Sequence, residues 1–250
     1  MAEIFGMFRK RKEEAKEGFG EPARKESKQE TVASKQGKLI VIEGNDGSGK
    51  RTQLELLAAK LRQSHAVEIL DFPDYSSFYG KIIRRYLDGG FGKNVNPYLI
   101  ALAYANDRLL KRDIMRKWLD RGRVVLCNRY VASNKAYQTV KFQTPQEMQE
   151  FVKWVDEMEY EVNNLPRPDL TVYLYVPSEI ALGLVEQRAE KAKSKADLHE
   201  TLSNMKKVEQ VYLAMTKNKN WLRIDCVKDN EMLTKDEAHK KIHDAVSSLI

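Results

Sequence analysis

The chain has 250 residues, which is long enough for one large α/β domain, and its content of 42% hydrophobic and 32% charged residues fits a soluble protein. No apolar run is long enough to cross a bilayer. Two widely separated cysteines, Cys127 and Cys226, fit neither a disulfide framework nor a metal site, so a reducing, cytoplasmic location is expected. The net charge of +7 comes from basic residues scattered among acidic ones, so we expect neither nucleic-acid binding nor membrane binding.

The first 36 residues differ in composition from the rest of the chain. They contain nine Lys or Arg, seven Asp or Glu and few branched apolar residues. Such a segment cannot bury enough apolar surface to offset the entropy of ordering, which predicts a mostly disordered extension. Residues 37–250 are predicted to form the folded domain.

From residue 38 onward, apolar strand-like runs alternate with helical patterns. The predicted strands are 38–43, 66–71, 123–127, 169–176 and 221–226. The predicted helices are 50–63, 78–88, 97–121, 133–141, 145–163, 178–191, 198–217 and 234–249. This alternation predicts an α/β fold with a five-stranded parallel sheet and helices on both faces. Ligands of such folds bind at the carboxyl ends of the strands.

A glycine-rich loop follows the first predicted strand and runs directly into the first helix. It comprises Gly44, Asn45, Asp46, Gly47, Ser48, Gly49, Lys50, Arg51 and Thr52. Backbone N–H groups and the helix dipole at such a junction favour bound phosphate, and a lysine at the helix start can neutralise a nucleotide. The loop matches G-x-x-x-x-G-K, although Arg51 stands where the usual pattern has a Ser or Thr hydroxyl for Mg²⁺. A nucleotide-phosphate site is therefore predicted.

Further motifs lie beside the other strand ends. They are F-P-D-Y at 72–75, A-N-D-R at 105–108, N-R-Y-V-A-S-N-K-A-Y-Q at 128–138, R-P-D-L at 167–170 and D-L-H-E at 197–200. Together with E-G-N-D-G-S-G-K-R-T at 43–52, and in this order, they resemble the thymidylate kinases over about residues 38–249. The resemblance implies a P-loop NTPase fold with a short lid, Mg²⁺-dependent phosphorylation of dTMP to dTDP by ATP, and a homodimer formed through the long helices.

The resemblance also assigns residues to the two phosphate groups. Lys50 and its loop would hold ATP, and Arg129 is similar to the arginine that binds the acceptor phosphate. Some relatives carry a transition-state arginine in the P-loop, but the position after Asp46 is Gly47 here. Arg188 is therefore the first candidate, in a predicted lid at about 188–197 that also contains Lys191, Lys193 and Lys195.

Contacts to dTMP follow from the same resemblance. Tyr104 would stack on the base, Arg108 would donate to a thymine carbonyl, and Asn134 would read the base edge. Tyr137 would crowd the ribose 2′ position, and Tyr75 would reach the phosphate. The full expected set is Asp46, Phe72, Tyr75, Tyr104, Arg108, Arg129, Ser133, Asn134, Tyr137 and Gln138.

One further departure concerns the metal. Asn128 stands where the family usually has Asp, so Asp46 becomes the expected carboxylate for Mg²⁺, with Asp197 and Glu200 as further candidates. We expect phosphate and water to hold most of the Mg²⁺ shell. Two alternatives stay open from the sequence: a related kinase for another (deoxy)nucleotide, and a nucleotide-binding regulator with weakened catalysis.

Overall fold

The computed structural model describes residues 36–92, 94–192 and 201–250. Its main sheet consists of five strands that match the five predicted ones. They are β1 (Lys38–Glu43), β2 (Val67–Asp71), β3 (Val124–Asn128), β4 (Leu170–Tyr175) and β5 (Trp221–Asp225). Two short strands, β6 (Val227–Lys228) and β7 (Glu231–Met232), form a separate antiparallel hairpin.

The helices of the described residues fall between these strands and after them. They are α1 (Lys50–Leu61), α2 (Phe78–Leu87), α3 (Pro97–Leu109), α4 (Arg112–Asp120), α5 (Val131–Thr139), α6 (Pro145–Asp156), α7 (Ser178–Ala192), α8 (Leu202–Met215) and α9 (Lys235–Ser247). A π-helical segment, Glu157–Val162, continues α6.

The sheet is parallel throughout, with the strand order β2-β3-β1-β4-β5. The connection after β1 runs to β2 on one side of the sheet, and the connection after β3 runs to β4 on the other, so a crevice opens between the carboxyl ends of β1 and β3. The register pairs Ile42 with Asn128, and Asn128 in turn with Asp71. The residues that follow β1, β2 and β3 therefore meet at one edge.

Alternate residues of β1 face two separate hydrophobic cores. Ile40 and Ile42 face a core that includes apolar residues of α1, α7 and α9, while Leu39 and Val41 face a core that includes residues of α3 to α6. All four are essentially inaccessible to solvent. The predicted parallel sheet with helices on both faces is thus confirmed.

Local sequence signals explain several helix starts. α6 and α9 begin with capping boxes, in which Thr144 bonds reciprocally with Glu147 and Thr234 with Glu237. The N-cap Ser77 accepts a hydrogen bond from the N–H of Gly80 at the start of α2. α1 has no side-chain cap and starts directly after Gly49, whose φ of 81° is readily adopted only by glycine.

Two predicted helices differ from those in the structure, and one hairpin was not predicted. The helix expected over 97–121 is two helices, because the chain turns at Leu110 and Lys111. Sequence periodicity does not reveal this turn, since both parts bury a face in the same core and no glycine or proline marks it. The helix expected over 145–163 becomes π-helical after Asp156, and the β6–β7 hairpin was not predicted. Its two turn residues, Asp229 and Asn230, both have positive φ, as this type of hairpin requires.

The extension predicted for residues 1–36 lies almost entirely outside the described residues, and so do residues 193–197 of the expected lid and residues 198–200 of the helix expected after it. No helix within the described ranges is long and apolar enough to span a membrane.

Candidate functional site

The P-loop joins β1 to α1 and is held from several sides. Gly44 and Gly47 have positive φ, and a Cβ on Gly47 would lie 2.5 Å from the carbonyl oxygen of Ala181. Asn45 Nδ2 lies 3.4 Å from both Ser178 Oγ and Met205 O, at the beginnings of α7 and α8. The loop is therefore packed tightly against the helices that flank the expected lid region.

Arg129 lies immediately beyond β3 and contacts the P-loop. Its Nη2 donates to Asp46 Oδ1 at 2.6 Å, and its Nη1 donates to Ser133 Oγ at 3.1 Å. Tyr137 completes the cluster, because its hydroxyl donates to Asp46 Oδ2 at 3.1 Å and its ring lies 5.0 Å from the guanidinium. Arg129 and Tyr137, two residues expected at the dTMP site, thus meet at the Asp46 carboxylate.

The backbone of Arg129 adopts a φ of 63°, a left-handed conformation that is unfavourable for a non-glycine residue. Hydrogen bonds on both sides hold it. Its N–H donates to Ile42 O, and the next N–H, of Tyr130, donates to Glu43 Oε1. Strain retained in this way at a cleft supports a functional role for the side chain.

Glu43 is a fully buried carboxylate that the sequence analysis did not single out. It accepts hydrogen bonds from the N–H groups of Tyr130 and Ser133 and from the hydroxyls of Ser133 and Tyr212. These donors compensate its desolvation and fix the beginning of α5 beside β1. Because Ser133 Oγ also accepts from Arg129, Glu43 orients the guanidinium through one intermediate hydroxyl.

Charges in this cluster shift its pKa values. Burial raises the pKa of Asp46, but the adjacent Arg129 and Lys50 lower it more, so the net pKa lies well below the usual range. Burial is also the largest influence on Lys50. Together with repulsion from Arg129, it lowers the pKa of Lys50 to about 7 despite the attraction of Asp46 and Glu43. Lys50 Nζ donates to the P-loop oxygen Asn45 O at 2.8 Å.

Two cavities meet at Asp46 and Arg129. The first is lined by Asp46, Pro73, Tyr75, Leu87, Tyr104, Arg129, Ser133, Asn134, Tyr137 and Gln138. We call it the acceptor cavity. The second is lined by the P-loop, by residues after β2 and β3, and by Leu184 and Arg188 of α7. We call it the donor cavity. Asp46, Pro73, Tyr75 and Arg129 line both, so the two spaces adjoin at the ion pair.

The far end of the acceptor cavity carries two amides. Asn134 and Gln138 lie on α5 one and two turns beyond its beginning, and four-residue spacing puts them on one face. Asn134 Oδ1 and Gln138 Nε2 are buried without a hydrogen-bond partner among the described residues. Tyr104 also lines this end of the cavity. The three side chains provide an aromatic ring (Tyr104), a hydrogen-bond acceptor (Asn134 Oδ1) and a hydrogen-bond donor (Gln138 Nε2).

Two residues expected at the dTMP site lie elsewhere. Arg108 is 1% exposed, and its Nε and Nη2 donate to Glu159 at 2.6 and 2.7 Å. A guanidinium this deeply buried requires such a carboxylate, and Arg108 does not line the acceptor cavity. It adjoins Asn134 through Glu159, because Glu159 Oε1 also accepts from Asn134 Nδ2 at 2.9 Å. The ring of Phe72 packs in the core against Tyr130 and borders the donor cavity instead.

The loop that carries Tyr75 is fixed by Asp107 of the A-N-D-R motif. Asp107 accepts hydrogen bonds from the N–H of Asp74 at 2.8 Å and from Ser77 Oγ at 2.5 Å. Gly80 permits the close approach of this loop, because a Cβ there would lie 1.8 Å from Asp74 O. The phenol of Tyr75 is 44% exposed and stands at the boundary of the two cavities.

The donor cavity contains a carboxylate that the sequence analysis missed. Asp71 ends β2 directly beside Asn128, whose Nδ2 donates to Asp71 Oδ1 at 2.8 Å. Both residues line the cavity together with Arg51. The pKa of Arg51 is raised mainly by Glu55 and, to a smaller extent, by Asp71. Asp197, Glu200, Lys193 and Lys195 lie outside the described residues.

Asp71 could have been identified from the sequence, because parallel strands of similar length end at the same edge of a sheet. The last residue of β2 would therefore lie beside Asn128, the last residue of β3. Glu43 opens the motif at 43–52 but was given no role, whereas Glu159 and Tyr212 have no signal of their own in the sequence. Their roles depend on contacts between distant elements, such as the 2.8 Å hydrogen bond from Tyr212 to Glu43.

Known proteins with similar sequences and structures point to one family. A family model described as thymidylate kinase matches residues 42–237. A probable thymidylate kinase of Pyrobaculum aerophilum is 33% identical over 203 residues, which cover 80% of this chain and 94% of that protein. The thymidylate kinase of Danio rerio is 29% identical over 222 residues, with 88% and 94% covered. The solved structure of a thymidylate kinase from Candida albicans superposes with a TM-score of 0.66 at 24% identity, covering 85% of this chain and 92% of that one.

Proposed function

Because the chain belongs to the thymidylate kinase family, we propose that it transfers the γ-phosphate of ATP to dTMP and releases dTDP and ADP. The observation that carries the proposal is the pair of adjoining cavities with Asp46 and Arg129 at their boundary. Phosphoryl transfer requires donor and acceptor phosphates in line, and this arrangement supports such a placement.

The donor half is the P-loop with Lys50. Its backbone N–H groups would cradle the ATP phosphates, and Lys50 would leave Asn45 O to neutralise their charge. Arg188 on α7 lines the same cavity and acts electrostatically on Lys50. In our proposal it neutralises charge that develops on the transferred group.

The acceptor half begins at Arg129. A guanidinium offers two parallel N–H donors, which suit the oxygens of the dTMP phosphate. Asp46 now holds one of these donors, and Ser133 another. Arg129 is therefore already oriented toward the boundary before substrate arrives, with Tyr75 as a further donor at the cavity mouth.

The sugar and the base would occupy the rest of the acceptor cavity. Tyr137 is held by Asp46 and lies against the Arg129 guanidinium, so its ring cannot withdraw easily from the ribose. This supports a preference for the 2′-deoxy sugar. Tyr104 would stack on the base, while Asn134 Oδ1 would accept from the thymine N3–H and Gln138 Nε2 would donate to a carbonyl.

Mg²⁺ is part of the proposal because the donor cavity has the oxygen ligands that this ion prefers. Both carboxylate oxygens of Asp46 already accept hydrogen bonds, whereas Asp71 is exposed in the cavity and positioned by Asn128. Asp71 and Asp46 would hold the ion or its water, which would neutralise phosphate charge. Within the described ranges no three His, Cys, Asp or Glu side chains form a cluster that could hold a metal ion.

A homodimer is proposed through the outer surface of α3 and α4. Leu99 and Leu102 lie on α3, Leu110 in the turn that follows and Ile114 on α4, and all four are 38–66% exposed. An apolar stripe of this kind is typical of a surface that another chain covers. Light scattering would detect the dimer, and Leu99→Glu should shift the protein toward monomer. A cytoplasmic location and the absence of nucleic-acid binding also remain part of the proposal.

An acceptor panel tests the function. The purified chain is incubated with ATP, Mg²⁺ and either dTMP, dUMP, UMP, dCMP or thymidine, and ADP formation is followed, with Lys50→Ala as the inactive control. We expect dTMP to be the best acceptor and thymidine, which lacks a phosphate for Arg129, to be inert. A preference for dCMP or UMP would overturn the substrate assignment. Nucleotide binding without turnover would instead support the alternative that the chain is a nucleotide-binding regulator with weakened catalysis.

A further inference from the structure

The two unpartnered amide atoms in the acceptor cavity differ in chemical type. Asn134 Oδ1 can only accept a hydrogen bond, and Gln138 Nε2 can only donate one. Which atom of an amide faces a cavity depends on what the other atom contacts. The contacts of Asn134 and Gln138 therefore decide the hydrogen-bonding polarity that the cavity presents to a base.

The Asn134 amide is fixed by two acceptors. Its Nδ2 donates to Ala101 O at 3.1 Å and to Glu159 Oε1 at 2.9 Å. Rotating the amide by 180° would place Oδ1 against these two oxygens, which are acceptors themselves. Oδ1 therefore points away from these two oxygens and is left without a protein partner among the described residues, in a side chain that lines the acceptor cavity.

The Gln138 amide is fixed by a donor. Its Oε1 accepts a 2.5 Å hydrogen bond from Lys141 Nζ, and an ammonium group has no lone pair to accept from Nε2 in the reversed orientation. Lys141 itself is anchored on α2: its Nζ donates to the hydroxyl of the buried Tyr86 and lies 4.8 Å from the centre of that ring. Lys141 does not line the acceptor cavity.

We propose that Lys141 is a positioning residue, which holds the Gln138 amide with Nε2 toward the base and thereby selects a pyrimidine whose edge has an N–H beside a carbonyl. The inference rests on the proposed function. In a thymine or uracil pose, N3–H meets Asn134 Oδ1 and a carbonyl meets Gln138 Nε2. In the same pose, cytosine brings a ring nitrogen to Asn134 Oδ1 and an amino group to Gln138 Nε2. Rotation of Gln138 would relieve the second mismatch, and Lys141 prevents that rotation.

The protonation of Lys141 offers an independent readout. Burial lowers the pKa of Lys141 to about 8, and the titratable group in contact with it is the Tyr86 hydroxyl. A neutral amine can accept as well as donate, so the Gln138 amide loses its fixed orientation above this pH. The KM for dTMP should then rise in the wild type, whereas Lys141→Arg, which stays charged, should keep it low.

The experiment compares wild type, Lys141→Met, Lys141→Arg and Lys135→Met. Lys135 is the matched control, a half-buried lysine of α5 that pairs with Asp156 and lines neither the acceptor nor the donor cavity. At about pH 7, Lys141→Met should raise the KM for dTMP about tenfold with a smaller change in kcat, and should narrow the preference for dTMP over dCMP. Lys141→Arg and Lys135→Met should behave as wild type in this comparison.

Each failure has a distinct signature. A wild type that does not phosphorylate dTMP refutes the proposed function itself. An active wild type with Lys141→Met indistinguishable from Lys135→Met in KM and in dCMP discrimination refutes the role of Lys141. If Lys141→Met does not fold, the pH profiles decide: identical dependence of KM on pH in wild type and Lys141→Arg overturns the inference.

Discussion

Replacing Arg108 distinguishes the role expected from the sequence from the position found in the structure. The pair with Glu159 is fully buried, with side-chain exposures of 2% and 0% and two hydrogen bonds of 2.6 and 2.7 Å. Arg108→Met would leave the Glu159 carboxylate buried without its cation, which typically costs about 3–5 kcal/mol. For a domain of this size that corresponds to a drop in the thermal midpoint of roughly 6–20 °C.

The assay is thermal and urea unfolding of a double-mutant cycle. Glu159→Gln alone strands the guanidinium and should destabilise by a similar amount. The double variant Arg108→Met/Glu159→Gln carries neither charge, and its Gln Oε1 can still accept from Asn134, so it should recover most of the lost stability. The KM for dTMP should change little in both single variants, because Glu159 in one and the Gln Oε1 in the other can still accept the hydrogen bond from Asn134.

A specific result would refute this reasoning. If Arg108→Met unfolds at the wild-type midpoint while its KM for dTMP rises sharply and its KM for ATP does not, then the guanidinium contacts the base directly. The buried pair would then not describe the substrate-bound protein.

Three further predictions concern the phosphates and the metal. Arg129→Lys keeps the charge but loses the two-pronged donor, so kcat/KM for dTMP should fall on the order of a hundredfold while the affinity for ADP, measured by calorimetry, changes little. Because burial and Arg129 lower the pKa of Lys50 to about 7 and bound phosphate favours the charged lysine, ADP binding should take up a proton. ADP affinity should then fall as the pH rises above about 7. Calorimetry in buffers of different ionisation enthalpy measures the proton uptake. If the uptake persists in Lys50→Met, the proton binds to another group. Asp71→Asn should weaken Mn²⁺ binding to the ADP complex in electron paramagnetic resonance titrations, and Asp88→Asn, at the exposed end of α2, should not; equal affinities in both variants would exclude Asp71 from the metal site.

The fold was predictable because its signals are local. Each strand of the main sheet is an apolar run, and each run alternates with a helical pattern, so hydrophobic periodicity alone located all five. The turn between α3 and α4 was not predictable, because Ala101 and Met115 contribute to one core and so preserve a continuous apolar pattern. Only the packing of the two helices reveals the break.

The candidate site was predictable wherever one motif supplies both backbone and side chain. The P-loop and the stretch after β3 bring Lys50, Asp46, Arg129 and Tyr137 together as expected. Arg108 was placed differently because its partner, Glu159, lies 51 residues away in a π-helical segment that no motif marks. An arginine in a binding motif can contact the ligand directly, or it can pair with a buried carboxylate and hold the surrounding structure in place. Only the position of that carboxylate in the fold distinguishes the two roles.

Arg51 and Asn128, the two departures from the family pattern, both line the donor cavity. Their effects on a metal site must therefore be considered together. Taken singly, each removes an oxygen ligand for a metal. The register of β2 and β3 adds Asp71 beside Asn128, and Asp71 also acts electrostatically on Arg51. A carboxylate at position 128 would repel Asp71, whereas the amide donates to it. Asn128 therefore positions Asp71, and the donor cavity has its carboxylate at the end of β2 rather than at the end of β3.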